Sequence, residues 1–317
     1  MSLALYGDDG FYTSTGRAGR RGDFITSPEV GPLFGAVIAR YLDNVWSKLG
    51  SPDNFTIVEV GAGPGTLARS VLAAAPQCLE KGSYVAVEVS ASQRESHPDG
   101  IVSVAVMPDH IENGVIIANE LFDNLPFDLW VYDDGWREAY VISSGANFSE
   151  VLMNKPVPSC LPSRAALGAR APVQTAAGQW LSDALNTLQH GKILAFDYCS
   201  ALTAEVVSMP WREWLRTYAS HERGVHYLKN VGEQDITTQV LIDQLAQVKE
   251  LDSVRSQAQF LQLWDIDQLV EEGKRAWEAA ASAPSLAAMK MRSRIAESEA
   301  LLDPTGLGNF TVLEWNK

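Results

Sequence analysis

Between residues 33 and 45 apolar side chains return every four positions, at Leu33, Val37, Tyr41 and Val45, with Phe34, Ile38 and Leu42 alongside. That spacing marks one face of a helix for burial. Ser27-Pro28-Glu29 is a start signal, with Ser27 as cap and Pro28 in the first turn, and Gly50-Ser51-Pro52 is a stop. A helix is therefore expected over Pro28–Lys48, after an opening loop from Tyr6 to Glu29. The period then changes. Phe55-Thr56-Ile57-Val58-Glu59-Val60 is a short apolar, β-branched run suited to a buried central strand. It ends in Gly61-Ala62-Gly63-Pro64-Gly65, and a helical pattern from Thr66 to Ala75 follows, halted before Pro76.

The same cycle is expected to repeat, with strands at Tyr84–Val89, Ile101–Val106, Val115–Ala118 and Lys192–Asp197, the last preceded by a helix over Gln174–Leu188. Such alternation predicts an α/β fold of the Rossmann-like kind, a mostly parallel seven-stranded sheet with helices on both faces. Leu129–Tyr132 and Arg137–Ile142 flank Asp133-Asp134-Gly135-Trp136 and predict a hairpin. The Pro-, Ala- and Ser-rich stretch from Asn154 to Pro172 reads as a long connection. Residues 266–302, rich in Ala, Glu, Lys, Arg and Met, are expected to form an inserted helical cap between strands Val254–Leu263 and Asn309–Trp315. One domain over 1–317 is expected to hold all of this.

Composition narrows the function classes. With 46% hydrophobic residues in 317, the chain can bury a large core. Its 39 acidic against 25 basic residues give a net charge of -14, which repels phosphate backbones and anionic lipid surfaces and argues against nucleic acid or membrane as partners. No run approaches the ~20 consecutive apolar residues of a bilayer span, and Met1–Tyr6 lacks the features of a signal peptide, so a cytoplasmic protein is expected. Cys78, Cys160 and Cys199 lie far apart and no His or Cys follows at metal-ligand spacing, so no metal is expected. Of the five histidines, His97, His110, His190, His221 and His226, most are expected at surface or loop positions.

The chemistry concentrates around Glu59-Val60-Gly61-Ala62-Gly63-Pro64-Gly65. Glycine lets the backbone turn sharply and approach a ligand with no Cβ in the way, and the following helix offers unpaired N–H groups. A dinucleotide fingerprint needs glycine or alanine three places after Gly63, where this chain has Thr66, and the extra glycine comes early at Gly65. That spacing favours the turn of S-adenosylmethionine-dependent methyltransferases, with Glu59, Gly61, Gly63 and Gly65 as cofactor candidates. Glu88 closes the second strand, where an acid accepts the ribose hydroxyls of an adenosine, and Asp109 follows the third. The fourth strand ends in Ala118-Asn119-Glu120-Leu121-Phe122-Asp123, placing Asn119 on the cofactor side, with Glu120 and Asp123 as acceptor-side candidates able to grip a guanidinium. Asp197-Tyr198 closes the fifth strand with a carboxylate and a phenol, candidates for the catalytic set or for the scaffold.

Together these residues resemble the MidA family of S-adenosylmethionine-dependent methyltransferases. The likeness is carried by Ala4-Leu5-Tyr6 with Gly10-Phe11-Tyr12, by Gly22 to Glu29 with Phe34-Gly35, by the glycine turn, and by Ala118 to Pro126, Asp197-Tyr198, Gly232 to Thr237 and Gly306 to Leu313. The resemblance implies an N-terminal loop folding over the cofactor, which adds Asp23 and Thr26 to the cofactor candidates. It also implies a protein arginine acceptor, since mitochondrial members serve as complex I assembly factors that dimethylate an arginine. Three places depart from the family. Its Thr-x-His-Val-Asp run is Thr237-Thr238-Gln239-Val240-Leu241 here, its Tyr-Arg-Gly-His is Tyr218-Ala219-Ser220-His221, and Pro64 stands where arginine is common. The chain begins inside the family's first helix, so a missing or misassigned start is expected.

Two function classes follow: a protein methyltransferase whose partner presents a basic segment, or a cofactor-binding assembly factor with weakened catalysis, suggested by Gln239 and Leu241. A nicotinamide oxidoreductase is disfavoured by the glycine spacing.

Overall fold

The computed structural model describes residues 1–14, 26–145, 147–219, 222–283 and 285–317. Where the sequence pattern is read as one domain, the structure divides into two compact units, each assembled from three stretches of chain.

One unit comprises Ala18–Asn119, Leu185–Phe196 and Leu251–Lys317 and carries the large sheet. Its strands are β1 Phe55–Val60, β2 Ser83–Val87, β3 Val102–Val104, β4 Ile111–Asn119, β5 Leu188–Asp197, β6 Ser253–Ser256 and β7 Thr311–Asn316. They lie in the order β6-β7-β5-β4-β1-β2-β3. The pairs β1–β2, β1–β4, β2–β3 and β4–β5 are parallel and β6–β7 is antiparallel, the mostly parallel seven-stranded sheet of the α/β reading. Residues of both pleat directions are fully buried, Ile57 and Ile117 on one, Val58 and Ile116 on the other, so both faces are covered.

Helices α1 Pro32–Lys48, α2 Thr66–Ala74, α3 Gln257–Leu263, α4 Ile266–Ala279 and α5 Leu286–Leu302 belong to this unit. The apolar stripe of α1 packs with Ile57, Val115, Leu194 and Phe196 into one core cluster, which also takes Ile266, Leu269, Val270 and Leu301. The helical pair over 266–302 therefore helps build the core. Three expectations need correction. The helix expected over Pro28–Lys48 is broken at Gly31, where Glu297 of α5 occupies the space a Cβ would need and accepts the Leu33 N–H at 2.8 Å. The cap of the preceding turn, Ser27–Val30, is Thr26, while Ser27 Oγ donates to Gln257 Oε1 at 2.8 Å in the interior. The strand expected over Val254–Leu263 stops at Ser256, whose Oγ accepts the Gln259 N–H and starts α3.

The other unit comprises Met1–Arg17, Glu120–Ala184 and Asp197–Glu250. The predicted hairpin is present as Asp128–Tyr132 and Trp136–Ser144, within a four-stranded sheet completed by Asn147–Met153 and Arg170–Val173. A second small sheet pairs Leu215–Ala219 with Asp235–Thr238 in antiparallel fashion. The segment Tyr6–Glu29, expected as loop, contains the short helix Phe11–Ser14, and another, Ser2–Tyr6, precedes it. Leu5 pins them by packing with Trp214, Ile236 and Leu241.

Candidate functional site

In the sheet-bearing unit the chain leaves β1 through three glycines with φ of 71°, 54° and 78° at Gly61, Gly63 and Gly65. Such left-handed backbone suits glycine and strains any other L-residue. The N–H groups of Gly61 and Ala62 both reach the Val87 carbonyl, at 3.0 and 3.1 Å, which moors the turn to the end of β2. Gly65 then caps α2. A Cβ at Gly65 would lie 3.0 Å from Pro98 Cδ, and one at Gly63 would lie 3.3 Å from Gln93 Oε1, so the cradle is shaped by the missing side chains.

Glu88 is the acidic partner of this turn. Its Oε2 accepts the Gly63 N–H at 2.9 Å and its Oε1 accepts the Ser90 N–H at 2.8 Å. Each carboxylate oxygen carries a second lone-pair direction, so ribose hydroxyls can still be received while the turn is held. Glu59 behaves differently. It is buried, accepts the Tyr84 O–H at 2.7 Å, and is pushed up to about 7 by burial, with Glu88 adding to the shift and the Tyr84 hydrogen bond opposing it. Its side chain braces the turn from within. His97, expected at an ordinary surface or loop position, bridges the Gly63 carbonyl and Ser103 Oγ, both at 2.8 Å. Only the fold could nominate it, because it lies 34 residues from Gly63.

Asn119, half-buried, is the last residue of β4. Thr26 caps the short helix at Ser27–Val30, and its N–H lies 3.4 Å from Glu29 Oε2. Asp23 lies outside the described residues. Asp109 is exposed.

In the other unit Glu120, Asp123, Asp197 and Tyr198 come together with a carboxylate the sequence reading had not singled out, Asp235. Asp197, fully buried, accepts the N–H groups of Phe122 and Asp123 on Oδ2, at 2.9 and 3.3 Å, and that of Tyr198 on Oδ1 at 2.8 Å. Three backbone donors favour its ionised form, yet burial and the Glu120 charge push it up to about 8. Its three backbone donors make it the strut of the loop. Glu120 follows β4 with a left-handed φ of 51°. Asp123 is only 6% exposed, and its Oδ1 is buried with no hydrogen-bond partner among the described residues. Burial, followed by the charges of Asp197 and Asp235, pushes Asp123 well above the ordinary carboxyl range. Phe122 anchors the loop by packing edge-on against Trp180, centroids 5.0 Å apart.

The departures Gln239 and Leu241 flank Val240, whose N–H reaches the Tyr198 carbonyl at 2.8 Å. Gln239 accepts the Ser200 hydroxyl, and Leu241 is buried in the apolar cluster around Trp214.

The comparisons with known proteins agree with this picture. A family model described as "Putative S-adenosyl-L-methionine-dependent methyltransferase" matches residues 37–259. The chain is 31% identical over 163 residues, 42% of its own length, to the mitochondrial protein arginine methyltransferase NDUFAF7 homologue of Drosophila melanogaster. It is 27% identical over 190 residues, 49% of its length, to the mitochondrial human protein arginine methyltransferase NDUFAF7. These matches span 37% and 43% of the relatives, less than half of either. A Burkholderia thailandensis protein solved with S-adenosyl-homocysteine bound shares the fold at a TM-score of 0.80 and 23% identity, over 100% of this chain and 86% of that one. The cytoplasmic expectation is overturned by the relatives, which are named as mitochondrial. It rested on the lack of a leader pattern, which does not specify a compartment.

Proposed function

The chain belongs to the S-adenosyl-L-methionine-dependent methyltransferase family whose model spans residues 37–259, and from that premise we propose that it methylates a protein side chain, with the guanidinium of an arginine as acceptor. The observation that carries the acceptor assignment is Asp123 Oδ1, a buried oxygen without partner in a cluster of carboxylates. Such a group is best satisfied by an incoming cation with N–H donors. The protein arginine methyltransferase relatives support the same acceptor.

The residues of the glycine turn fit the cofactor: three left-handed glycines, a helix start at Thr66, and Glu88 with acceptor capacity to spare. When bound, S-adenosylmethionine supplies a methyl group on a sulfonium. Glu88 and the turn orient it. Within the other unit, Glu120 and Asp123 would hold the guanidinium. A guanidinium nitrogen that takes up a methyl group must lose a proton. Asp123 is the carboxyl suited to take that proton, since Asp197 is occupied by three backbone donors. The overall acidity of the chain, net charge -14, favours a partner with a basic segment and disfavours nucleic acid and membrane surfaces.

Titration calorimetry with S-adenosylmethionine and with NAD, followed by transfer of radiolabelled methyl to a basic arginine peptide and to cell lysate, tests the proposal. Cofactor binding with label on arginine is the expected result. Label on another residue would overturn the acceptor, and binding without any label would favour the assembly-factor reading.

A further inference from the structure

The loop that carries Asp123 is tied from two sides within its own unit. On one side Asp197 holds the N–H groups of Phe122 and Asp123. On the other, Asn124 donates from Nδ2 to both oxygens of Asp235, at 3.1 and 3.3 Å. Asp235 also accepts the Tyr12 O–H at 3.0 Å and its neighbour's N–H, that of Ile236, at 2.8 Å. Tyr12 stacks on Tyr6, ring centroids 5.5 Å apart, and the Tyr6 O–H reaches the Asn124 carbonyl at 3.2 Å. One carboxylate thus fastens three stretches of chain: the N-terminal helices, the loop after β4, and the strand Asp235–Thr238.

The contrast between neighbouring acids is chemical. Asp235 has donors from at least three residues, whereas Asp123, among the described residues, keeps a buried oxygen with none. We infer that Asp235, clamped by Tyr12 and Asn124, is a positioning residue for the acceptor side: it fixes the 122–124 loop so that Asp123 holds one buried oxygen ready for a cation. The inference rests on the acceptor reading above and adds a residue with no part in gripping substrate. The titratable groups facing Asp123 are Asp197 at the close of β5, Asp235 on its strand, Tyr12 in the N-terminal helix and Tyr198 after β5, with Glu120 acting on Asp197 and Tyr198. Its strongest neighbours in charge are both carboxylates, which together with burial push it well above the ordinary carboxyl range.

Carbon NMR of protein labelled at aspartate carboxyls, with Asp123→Asn for assignment, follows this group between about pH 5 and about pH 9. In the wild type the Asp123 carboxyl is expected to titrate above the ordinary aspartate range. In Asp235→Asn, which removes the like charge but keeps the shape, its midpoint is expected to fall by about one unit or more, with S-adenosylmethionine affinity within about twofold. An unchanged midpoint overturns the inference. If Asp235→Asn does not fold, Tyr12→Phe carries the test through amide exchange: the Phe122 and Asp123 amides should exchange about tenfold faster while Gly63 does not change. Equal rates at all three overturn it. Neither readout involves the acceptor. Unlabelled arginine peptides with a shifted midpoint would remove the acceptor assignment alone, and labelled peptides with a fixed midpoint would remove the role of Asp235 alone.

Discussion

Gly63 serves the turn twice, through a backbone angle of +54° and through an N–H that reaches Glu88 at 2.9 Å. A β-branched side chain there is strained and presses on Gln93, so Gly63→Val is expected to abolish S-adenosylmethionine binding in calorimetry while circular dichroism stays near wild type. Unchanged affinity would remove the cofactor from this turn. On the proposed acceptor role of Glu120, Glu120→Gln should leave cofactor affinity within a few fold and suppress methyl transfer; equal loss of both would move it to the cofactor side. Glu59 makes a prediction of another kind. Its carboxyl is raised from the ordinary 4.5 to about 7, so the folded state holds a proton that the unfolded chain releases. Its contribution is fully present below about pH 4.5 and is lost as pH rises through about 7, by up to about 3 kcal/mol. Gln at this position keeps an acceptor for Tyr84 and cannot ionise. Urea unfolding should therefore find Glu59→Gln gaining on wild type between about pH 5 and about pH 8, and parallel pH curves would show that Glu59 does not titrate there.

At the scale of elements, α4 and α5 meet the sheet through Ile266, Leu269, Val270 and Leu301, all in the core cluster with Phe34 and Phe260. Removing residues 266–302 is expected to give a protein without near-ultraviolet circular dichroism, since this exposes apolar core. A stable, cooperatively melting deletion would show that the helical pair is dispensable for the core. The smaller change Glu297→Ala removes the acceptor of the Leu33 N–H and should cost about 1–2 kcal/mol in thermal unfolding. These contacts also explain what was legible in the chain. The β1–turn–α2 passage was readable because an apolar run, three glycines and a helical period are adjacent in sequence. The break at Gly31 was not, because its cause, Glu297, arrives from α5. The start of α3 was misread for a different reason: Gln257 to Leu263 mixes apolar and polar residues as a strand would, although Ser256 and Gln259 at capping-box spacing carry the signal of a helix. Asp235 escaped because its partner Tyr12 is 223 residues away, and no local pattern encodes that pairing.

For the whole molecule, the resemblance read from scattered motifs and the parallel sheet read from alternation converge on one family, but the acceptor depends on charge as well as on fold. A net charge of -14 on 317 residues would, on the proposed reading, draw a basic segment toward the protein before any specific contact forms. Salt shortens the reach of that field from about 30 Å at 0.01 M to about 8 Å at 0.15 M. If steering contributes, kcat/KM for a peptide with several arginines should fall severalfold between these two ionic strengths. A peptide with one arginine among acidic neighbours should change little or in the opposite direction. Cofactor affinity should fall less than the basic peptide's kcat/KM, because turn hydrogen bonds and packing hold the adenosine. Equal salt dependence for both peptides would mean that recognition lies in the Asp123 loop alone and that the acidity of the surface serves solubility.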